Sequence, residues 1–405
     1  EVFRNVIRDT IQKSLEDNKK QNMKLDILME VYIDIKMNIV ENKEAINDFI
    51  DCVIEISDSV NSDNWNGEDV MGIFFNEFNR YKKKSESGQV FTPDHITSLM
   101  YKILEVNAND KILDAACGSG AFLVKSMSNM IKEVGGINTK EAKKIKEHSL
   151  FGIEFDREIF ALACANMMIH KDGKTNLEQL DSRDKEASEW IKSKGITKVL
   201  MNPPFERKYG CKKIVENVLN SVPSGIKCAF IMPEKKMEKD KMGKLLEKHH
   251  LEAIIKLPEK LFDAGVTTSI YVFETGKKQV GEIYGCYIED DGLERVKNQG
   301  RQDIKDKWME LENYWVDSIR KRNDTKYGTS QWIDPKKFLS YQKPKAEFVL
   351  YEEDFVKTMM NYLMFKNKID VKEFSDKLIN KTLYNSEILK EDNNIVIKIK
   401  DAEDE

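Results

Sequence analysis

The sequence predicts an α/β fold: a doubly wound, mostly parallel sheet, with a helical N-terminal domain before it and a mixed C-terminal region after it. Three observations carry that prediction. From about residue 90, short apolar segments alternate with helical stretches of ten or more residues, the pattern of a parallel sheet covered by crossover helices. Before about residue 85, Leu25, Leu28, Val31, Tyr32 and Ile35 recur at spacings of three and four, which is the helical period. Beyond about residue 290 neither period dominates. The expected boundaries are 1–85 for the helical domain, 86–290 for the sheet domain and 291–405 for a C-terminal extension. A chain of 405 residues suits two or three domains.

In chain order, Asp63-Asn64-Trp65-Asn66-Gly67 is a turn cluster. A short amphipathic helix carrying Val70, Ile73, Phe74 and Phe78 follows, and Lys82 to Gly88 is polar and loop-like. Thr92 suits an N-cap and Pro93 the first position of the helix whose apolar face is Ile96, Leu99, Met100 and Ile103. The expected strands are Lys111–Ala115, Leu150–Glu154, Leu177–Leu180, Val199–Met201, Cys228–Met232 and Ala253–Lys256. Val266–Glu274 and Glu282–Ile288 read as sheet-edge or hairpin strands. Helices are expected around Asn138–Glu147, Asp303–Lys321 and Glu352–Phe365, and the acidic run Asp401–Glu405 is expected to fray.

Composition narrows the function classes. No apolar run approaches the roughly 20 residues of a membrane span. The six cysteines, Cys52, Cys117, Cys164, Cys211, Cys228 and Cys286, form no C-x-x-C pair and have no histidine cluster beside them. No metal site is therefore expected, and the cysteines read as reduced thiols of a cytoplasmic protein. The chain opens on Glu1 rather than Met, so a native start upstream is expected. The net charge of −5 lacks the basic surplus of a protein that grips a duplex unaided. Local runs such as Lys82-Lys83-Lys84 and Lys212-Lys213 are explained equally well as solvated surface.

Two strand ends carry the residues of a nucleotide site. Ile112 to Phe122 reads as a strand, a small-residue turn and a helix start, and the end of such a strand is where doubly wound sheets bind ligands. Gly118 and Gly120 lack a β-carbon, so backbone there can approach a ligand closely. The next strand ends in Gly152-Ile153-Glu154, whose carboxylate can accept hydrogen bonds from both hydroxyls of a ribose. The helix start at Thr92-Pro93 would offer free N–H groups to an anion.

The most informative tetrapeptide is Asn202-Pro203-Pro204-Phe205, at the end of the strand Val199–Met201. Two prolines rigidify the turn and remove amide donors. A carbonyl and the Asn202 side chain remain as acceptors, and together they can hold the two hydrogens of a planar amino group. Phe205 can stack on the ring that bears that amine.

Gln89–Pro93, Asp114–Phe122, Glu154 and Asn202–Phe205 occur in the order found in amino-group DNA methyltransferases of the gamma arrangement. Over roughly residues 20 to 290 the chain resembles the methylation subunit of type I restriction–modification systems. The approach Gly72–Pro93, with Phe75-Asn76-Glu77-Phe78, and the stretch Leu257-Pro258, Leu261-Phe262, Gly265–Ile270 add to that resemblance. It implies S-adenosylmethionine as cofactor and the N6 amine of adenine in double-stranded DNA as acceptor. Gln89, Phe91, Thr92 and Pro93 would hold the methionine part. Asp114, Gly118, Ser119 and Gly120 would line the cofactor turn, and Glu154 would hold the ribose. Asp181, with Asp184 as rival, would meet the cofactor adenine. Asn202, the Pro203 carbonyl, Pro204 and Phe205 would form the catalytic turn. The resemblance also implies a separate specificity subunit and a possible restriction subunit as partners, docking on the N-terminal helices and the region beyond about residue 330. Two other readings use the same residues: methylation of a glutamine amide on protein, which presents the same planar amine, and a non-catalytic assembly subunit.

Overall fold

The computed structural model describes residues 43–73, 92–170, 176–205, 210–238, 244–259, 261–262, 266–296, 300–344, 351–384, 386–391 and 394–399. The helices expected before residue 43, the loop at 82–88, Gln89, Phe91 and the acidic tail at 401–405 lie outside the described residues. Helix α1 (Lys43–Val60) leads into the expected turn at Asp63–Gly67. Helix α2 (Asp94–Ile103) buries Ile96, Leu99, Met100 and Ile103, the four positions whose spacing marks its apolar face. Its N-cap is Pro93, one residue later than expected, and no side chain caps it. The Thr92 hydroxyl instead accepts from the Asn202 side chain.

The alternating region follows as β1 (Ile112–Asp114), α3 (Ala121–Glu133), α4 (Lys140–His148), β2 (Leu150–Glu154), α5 (Arg157–Ile169), β3 (Asn176–Gln179), α6 (Lys185–Lys192) and β4 (Lys198–Met201). Next come α7 (Cys211–Ser221), β5 (Lys227–Pro233), the short α8 (Glu234–Glu238) and α9 (Lys244–Lys248), β6 (His250–Lys256), β7 (Thr268–Glu274) and β8 (Ile283–Tyr287). The paired strands β9 (Glu294–Val296) and β10 (Gly300–Gln302), helix α10 (Trp308–Lys321) and β11 (Ser330–Ile333) complete the unit.

Nine strands form one sheet in the order β11-β8-β6-β7-β5-β4-β1-β2-β3. Pairs β3/β2, β2/β1, β1/β4, β4/β5 and β6/β8 are parallel. Strand β7 is antiparallel to both β5 and β6. Of its two expected places, a sheet edge or a hairpin, the antiparallel pairing with β6, the strand just before it, agrees with the hairpin, and the edge is corrected: Thr268 to Phe273 are buried without alternation, as an interior strand covered on both faces requires. Strand β8 is not an edge either, because β11 pairs with it from Ser330↔Cys286 to Ile333↔Ile283.

Apolar side chains divide between the two faces with the period of two that a pleated strand imposes. Ile112, Leu200, Ala229 and Ile231 join the core beneath α2, α3 and α5. Leu113, Val199, Met201, Cys228, Phe230 and Met232 join the core on the α6–α7 side.

A boundary was expected at residue 290, but the chain divides into two compact units after Gln342. Residues 291–342 belong with the sheet because β11 extends it and α10 closes one face. Trp315 of α10 is 2% exposed and sits in the same core as Ile96, Leu99 and Tyr101. The α10 residue Glu312 accepts from Lys102 at 2.5 Å, and Arg320 donates to the Lys102 carbonyl at 2.9 Å. The second unit holds α11 (Glu352–Lys366), α12 (Val371–Tyr384) and an antiparallel hairpin of β12 (Ser386–Glu391) and β13 (Asn394–Ile399). Among the described residues no helix is long and apolar enough to cross a membrane.

Truncating the α10 anchor tests whether residues 291–342 are part of the sheet unit. Trp315→Ala removes a buried indole from the shared core and should cost about 3–5 kcal/mol. Urea unfolding followed by circular dichroism should show the sheet unit losing that stability. An unchanged midpoint would mean that α10 does not close the core.

Candidate active site

Strands β1, β2, β4 and β5 run parallel, so their C-terminal ends share one edge of the sheet. The chain steps from β1 outward to β2 and β3, then returns to the other side of β1 as β4. Such a reversal opens a crevice between the loops of the two diverging strands. The tip of β1 and the tip of β4 flank it.

The β1 tip is built on buried Asp114. Its Oδ1 accepts from the Ala116 amide at 3.1 Å. Burial, with the Glu154 charge as a smaller contribution, pushes its carboxyl up to about 8. The turn is closed by the Cys117 amide donating to the Ile153 carbonyl at 2.9 Å and the Gly120 amide to the Cys117 carbonyl at 2.8 Å. Gly118 and Gly120 hold φ of 55° and 98°, a left-handed backbone that favours glycine. A β-carbon added at Gly118 would meet nothing within 4 Å. The outer face of the turn is therefore open, and a ligand can lie against bare backbone there.

Glu154 ends β2 beside that turn. Its Oε2 accepts from the Gly118 amide at 3.0 Å and its Oε1 from the Asp156 amide at 2.9 Å. Each oxygen is thus oriented while retaining a second lone pair for another donor. Burial raises its carboxyl above the usual range, and the backbone donors pull it down. Ser119 departs from the expected ligand lining. It is buried, and its hydroxyl donates to the carboxylate of Asp69.

At the tip of β4 the Asn202 side-chain amide donates to the Thr92 hydroxyl at 2.9 Å. Two residues 110 positions apart are so joined, and the amide oxygen is turned away from Thr92. Pro203 is buried and Pro204 half-buried. Phe205 is 9% exposed and meets Phe262 edge-to-face with ring centroids 5.5 Å apart. In this conformation its ring is part of the core margin rather than an open platform. Thr92 and Pro93 lie at the start of α2. The first residue of that helix, Asp94, is held by Lys125 at 2.8 Å.

The loop after β3 is tied to the β1 tip by the Ser182 hydroxyl, which donates to the Ala115 carbonyl. Asp181 in this loop is gripped by Arg183: the Arg183 amide and Nε donate to its Oδ1 at 2.9 and 2.8 Å. That hydrogen bonding holds the Asp181 carboxyl below its usual range. Asp184, the rival, is the N-cap of α6 without a side-chain cap bond. One aromatic escaped the sequence reading. Phe155, immediately after Glu154, is 58% exposed, with the Arg183 guanidinium 6.0 Å from its ring centre. Its only signal was an aromatic lying just beyond an otherwise buried strand. Asp69 and Asn166, which fasten the turn from behind, gave no signal at all. Among the described residues no group of three or more His, Cys, Asp or Glu side chains could hold a metal.

The edge thus joins an open glycine turn, a fixed carboxylate, an exposed aromatic ring and an oriented amide. That set suits a ligand with hydroxyl donors and a flat ring at one end, and a planar amine at the other.

Residues 66–224 match the family model described as N-6 DNA Methylase. A type II restriction enzyme and methyltransferase of Heyndrickxia coagulans, RM.BcgI, is 30% identical over 340 residues, covering 77% of this chain and 51% of that protein. The MjaVII methylase subunit of a type I restriction enzyme from Methanocaldococcus jannaschii is 24% identical, covering 66% of this chain and 53% of that one. The chain spans about half the length of these curated relatives. Among solved structures, a modification subunit of a putative type I restriction enzyme from Vibrio vulnificus shares the fold. Its TM-score is 0.51 at 18% identity, with 65% of this chain and 62% of that one covered.

The buried acid at the β1 tip gives a pH signature. The folded protein holds the Asp114 proton up to about pH 8, while the unfolded chain releases it in the ordinary carboxylate range. The group therefore favours folding fully below about pH 4, and that contribution is lost as the pH rises to about 8. Asp114→Asn cannot ionise, so relative to the parent it should gain stability between about pH 5 and about pH 8, by up to about 1.4 kcal/mol per pH unit. Urea midpoints of both proteins across that range measure it; parallel curves would place the Asp114 titration elsewhere.

Proposed function

We propose, for a chain whose residues 66–224 match the N-6 DNA Methylase family model, that it transfers a methyl group from S-adenosylmethionine to the N6 amine of adenine in DNA. The observation that carries this reading is the bond between Thr92 and Asn202. It orients the amide of an Asn-Pro-Pro-aromatic turn at the tip of the strand next to the glycine turn.

S-adenosylmethionine, when bound, supplies an electrophilic methyl group on a sulfonium. The Gly118–Gly120 turn would take it against open backbone, and Glu154 would accept from its ribose hydroxyls. Phe155 and the Asp181 loop would flank its adenine ring, and the N-terminus of α2 would face its carboxylate. Gln89 and Phe91 are assigned by resemblance to the same methionine end. On the acceptor side, the Asn202 amide oxygen and the Pro203 carbonyl would bind the two hydrogens of the target amine. Pro204 would keep the turn rigid. Two acceptors on one amine favour lone-pair density on nitrogen over delocalisation into the ring. Phe205 would stack on the base once its ring turns from Phe262. The target base has to leave the duplex to reach this turn, at a cost of a few kcal/mol. Positioning of amine and methyl in line then supplies most of the acceleration. The reaction needs no covalent enzyme intermediate, so no cysteine is assigned a role.

The partners belong to the same reading. Duplex affinity depends mainly on Lys and Arg contacts with phosphates, and the net charge here is −5. Together with the resemblance to type I methylation subunits, this supports a separate specificity subunit that supplies much of the DNA grip and the sequence choice. A restriction subunit is the further partner that resemblance implies.

The test is methylation of defined duplex DNA with labelled S-adenosylmethionine, with and without a candidate specificity subunit, and mass spectrometry of the digested product. N6-methyladenine is expected; methylcytosine alone, or label only on protein glutamine, would overturn the reading. Asn202→Ala should abolish transfer while cofactor affinity by calorimetry stays within a few-fold. Glu154→Ala should act at the other end. Loss of a charge-assisted acceptor is worth roughly 1.5–3 kcal/mol, so cofactor affinity should fall about tenfold to a hundredfold. Unchanged affinity in folded Glu154→Ala would assign the ribose to another acid.

A further inference from the structure

The segment before α2 is bound to the glycine turn more closely than a connection requires. Asp69 Oδ1 accepts from the Gly72 amide at 2.9 Å and from the Asn166 side-chain amide at 2.8 Å. Its Oδ2 accepts from the Ser119 hydroxyl. Fully buried Asn166 donates from the same nitrogen to the Ser119 carbonyl at 2.8 Å. Both polar ends of Ser119 are therefore fixed from behind, and its neighbours are the two glycines with the weakest conformational preference of their own. Gly72 completes the arrangement. A β-carbon there would lie 2.1 Å from Asp69 Oδ2 and 2.9 Å from Ser119 Oγ, so a larger residue would displace the carboxylate.

Docking of the segment does not by itself call for this acid. Lys125 donates to the Asn66 carbonyl at 2.7 Å, Lys132 to the Asn66 side chain at 2.8 Å and Ser128 to the Trp65 carbonyl at 3.2 Å. Asp63 accepts from the Ile137 amide at 2.8 Å. Those bonds hold residues 63–66 against α3 and its C-terminal turn. Among the described residues of this segment, Asp69 is the one hydrogen-bonded to the turn itself. A half-buried carboxylate is costly unless its donors need it, and here the donors belong to the ligand-facing loop.

We infer that Asp69 is a positioning residue which, through Ser119 and Asn166, holds the Gly118–Gly120 turn in its ligand-binding shape, so that residues 69–72 belong to the cofactor site without touching the cofactor. This rests on the methyltransferase reading above. A turn released into several conformers binds with an affinity reduced by the fraction that remains competent. By linkage, cofactor binding must in return tighten the 69–72 segment.

The full chain tests this with S-adenosylmethionine as the probe. Asp69→Asn removes the charge at constant shape, and Gly72→Ala moves the carboxylate without removing it. Asp63→Asn is the control, since it weakens docking on α3 away from the turn. Calorimetry should show the dissociation constant rising about tenfold in the first two variants. In methylation assays the KM for S-adenosylmethionine should rise in parallel, with the loss falling on that KM rather than on kcat or the KM for DNA. Asp63→Asn should match the parent. Hydrogen exchange at the Gly72 amide should slow when cofactor is added to the parent. Equal affinity in the parent and both variants would overturn the inference, as would an equal loss in Asp63→Asn. If both variants fail to fold, the parent decides: exchange at Gly72 that ignores the cofactor overturns the inference. Failure of the underlying reading looks different, because then the parent itself neither binds S-adenosylmethionine nor methylates DNA.

Discussion

Everything at the active edge depends on β1 being paired on both sides by parallel strands. Ile112 and Leu113 face Leu150 and Phe151 of β2, and Lys198 and Val199 of β4. Parallel pairing brings three C-terminal ends to one line, and the reversal of strand order at β1 leaves the loops there without a covering crossover. Asp114 and Glu154 end two of those strands, and Asn202 follows directly on the third. A register slip of one residue would turn each of them to the other face of the sheet. The alternation of buried side chains into two cores is what forbids that slip.

The loops then correct what the strands leave loose. Backbone amides of Gly118 and Asp156 fix Glu154, Thr92 fixes Asn202, and Ser182 ties the β3 loop to Ala115. None of these bonds is between residues close in sequence except Asp156 with Glu154. The edge is therefore organised by tertiary contacts laid over a rigid sheet, which suits chemistry that works mainly by positioning.

What the sequence revealed follows the range of the interactions involved. Strand β2 was legible residue for residue at Leu150–Glu154, because its apolar run and its terminating acid are local signals. The Asn202–Phe205 turn was legible for the same reason. The interior place of β7 was not, since a run such as Thr268–Glu274 reads alike at an edge and between two neighbours. The bond of Thr92 with Asn202, 110 residues away, was equally out of reach. The membership of 291–342 in the sheet unit hinged on Trp315 and on the pairing of β11, both contacts with distant segments. Asp69 could not be found at all, because its partners Ser119 and Asn166 lie 50 and 97 residues further on.

The antiparallel insertion of β7 has a consequence for synthesis. Strands β5 and β6 leave the ribosome before the strand that lies between them. Until Glu274 has emerged, each presents a row of unpaired backbone groups to the other and to neighbouring chains. Unpaired edges of this kind are templates for wrong pairing, and Phe230, Ile231, Ile254 and Ile255 make these edges apolar. A pause in synthesis that falls after β6 has emerged and before β7 has therefore prolongs the exposure of both edges.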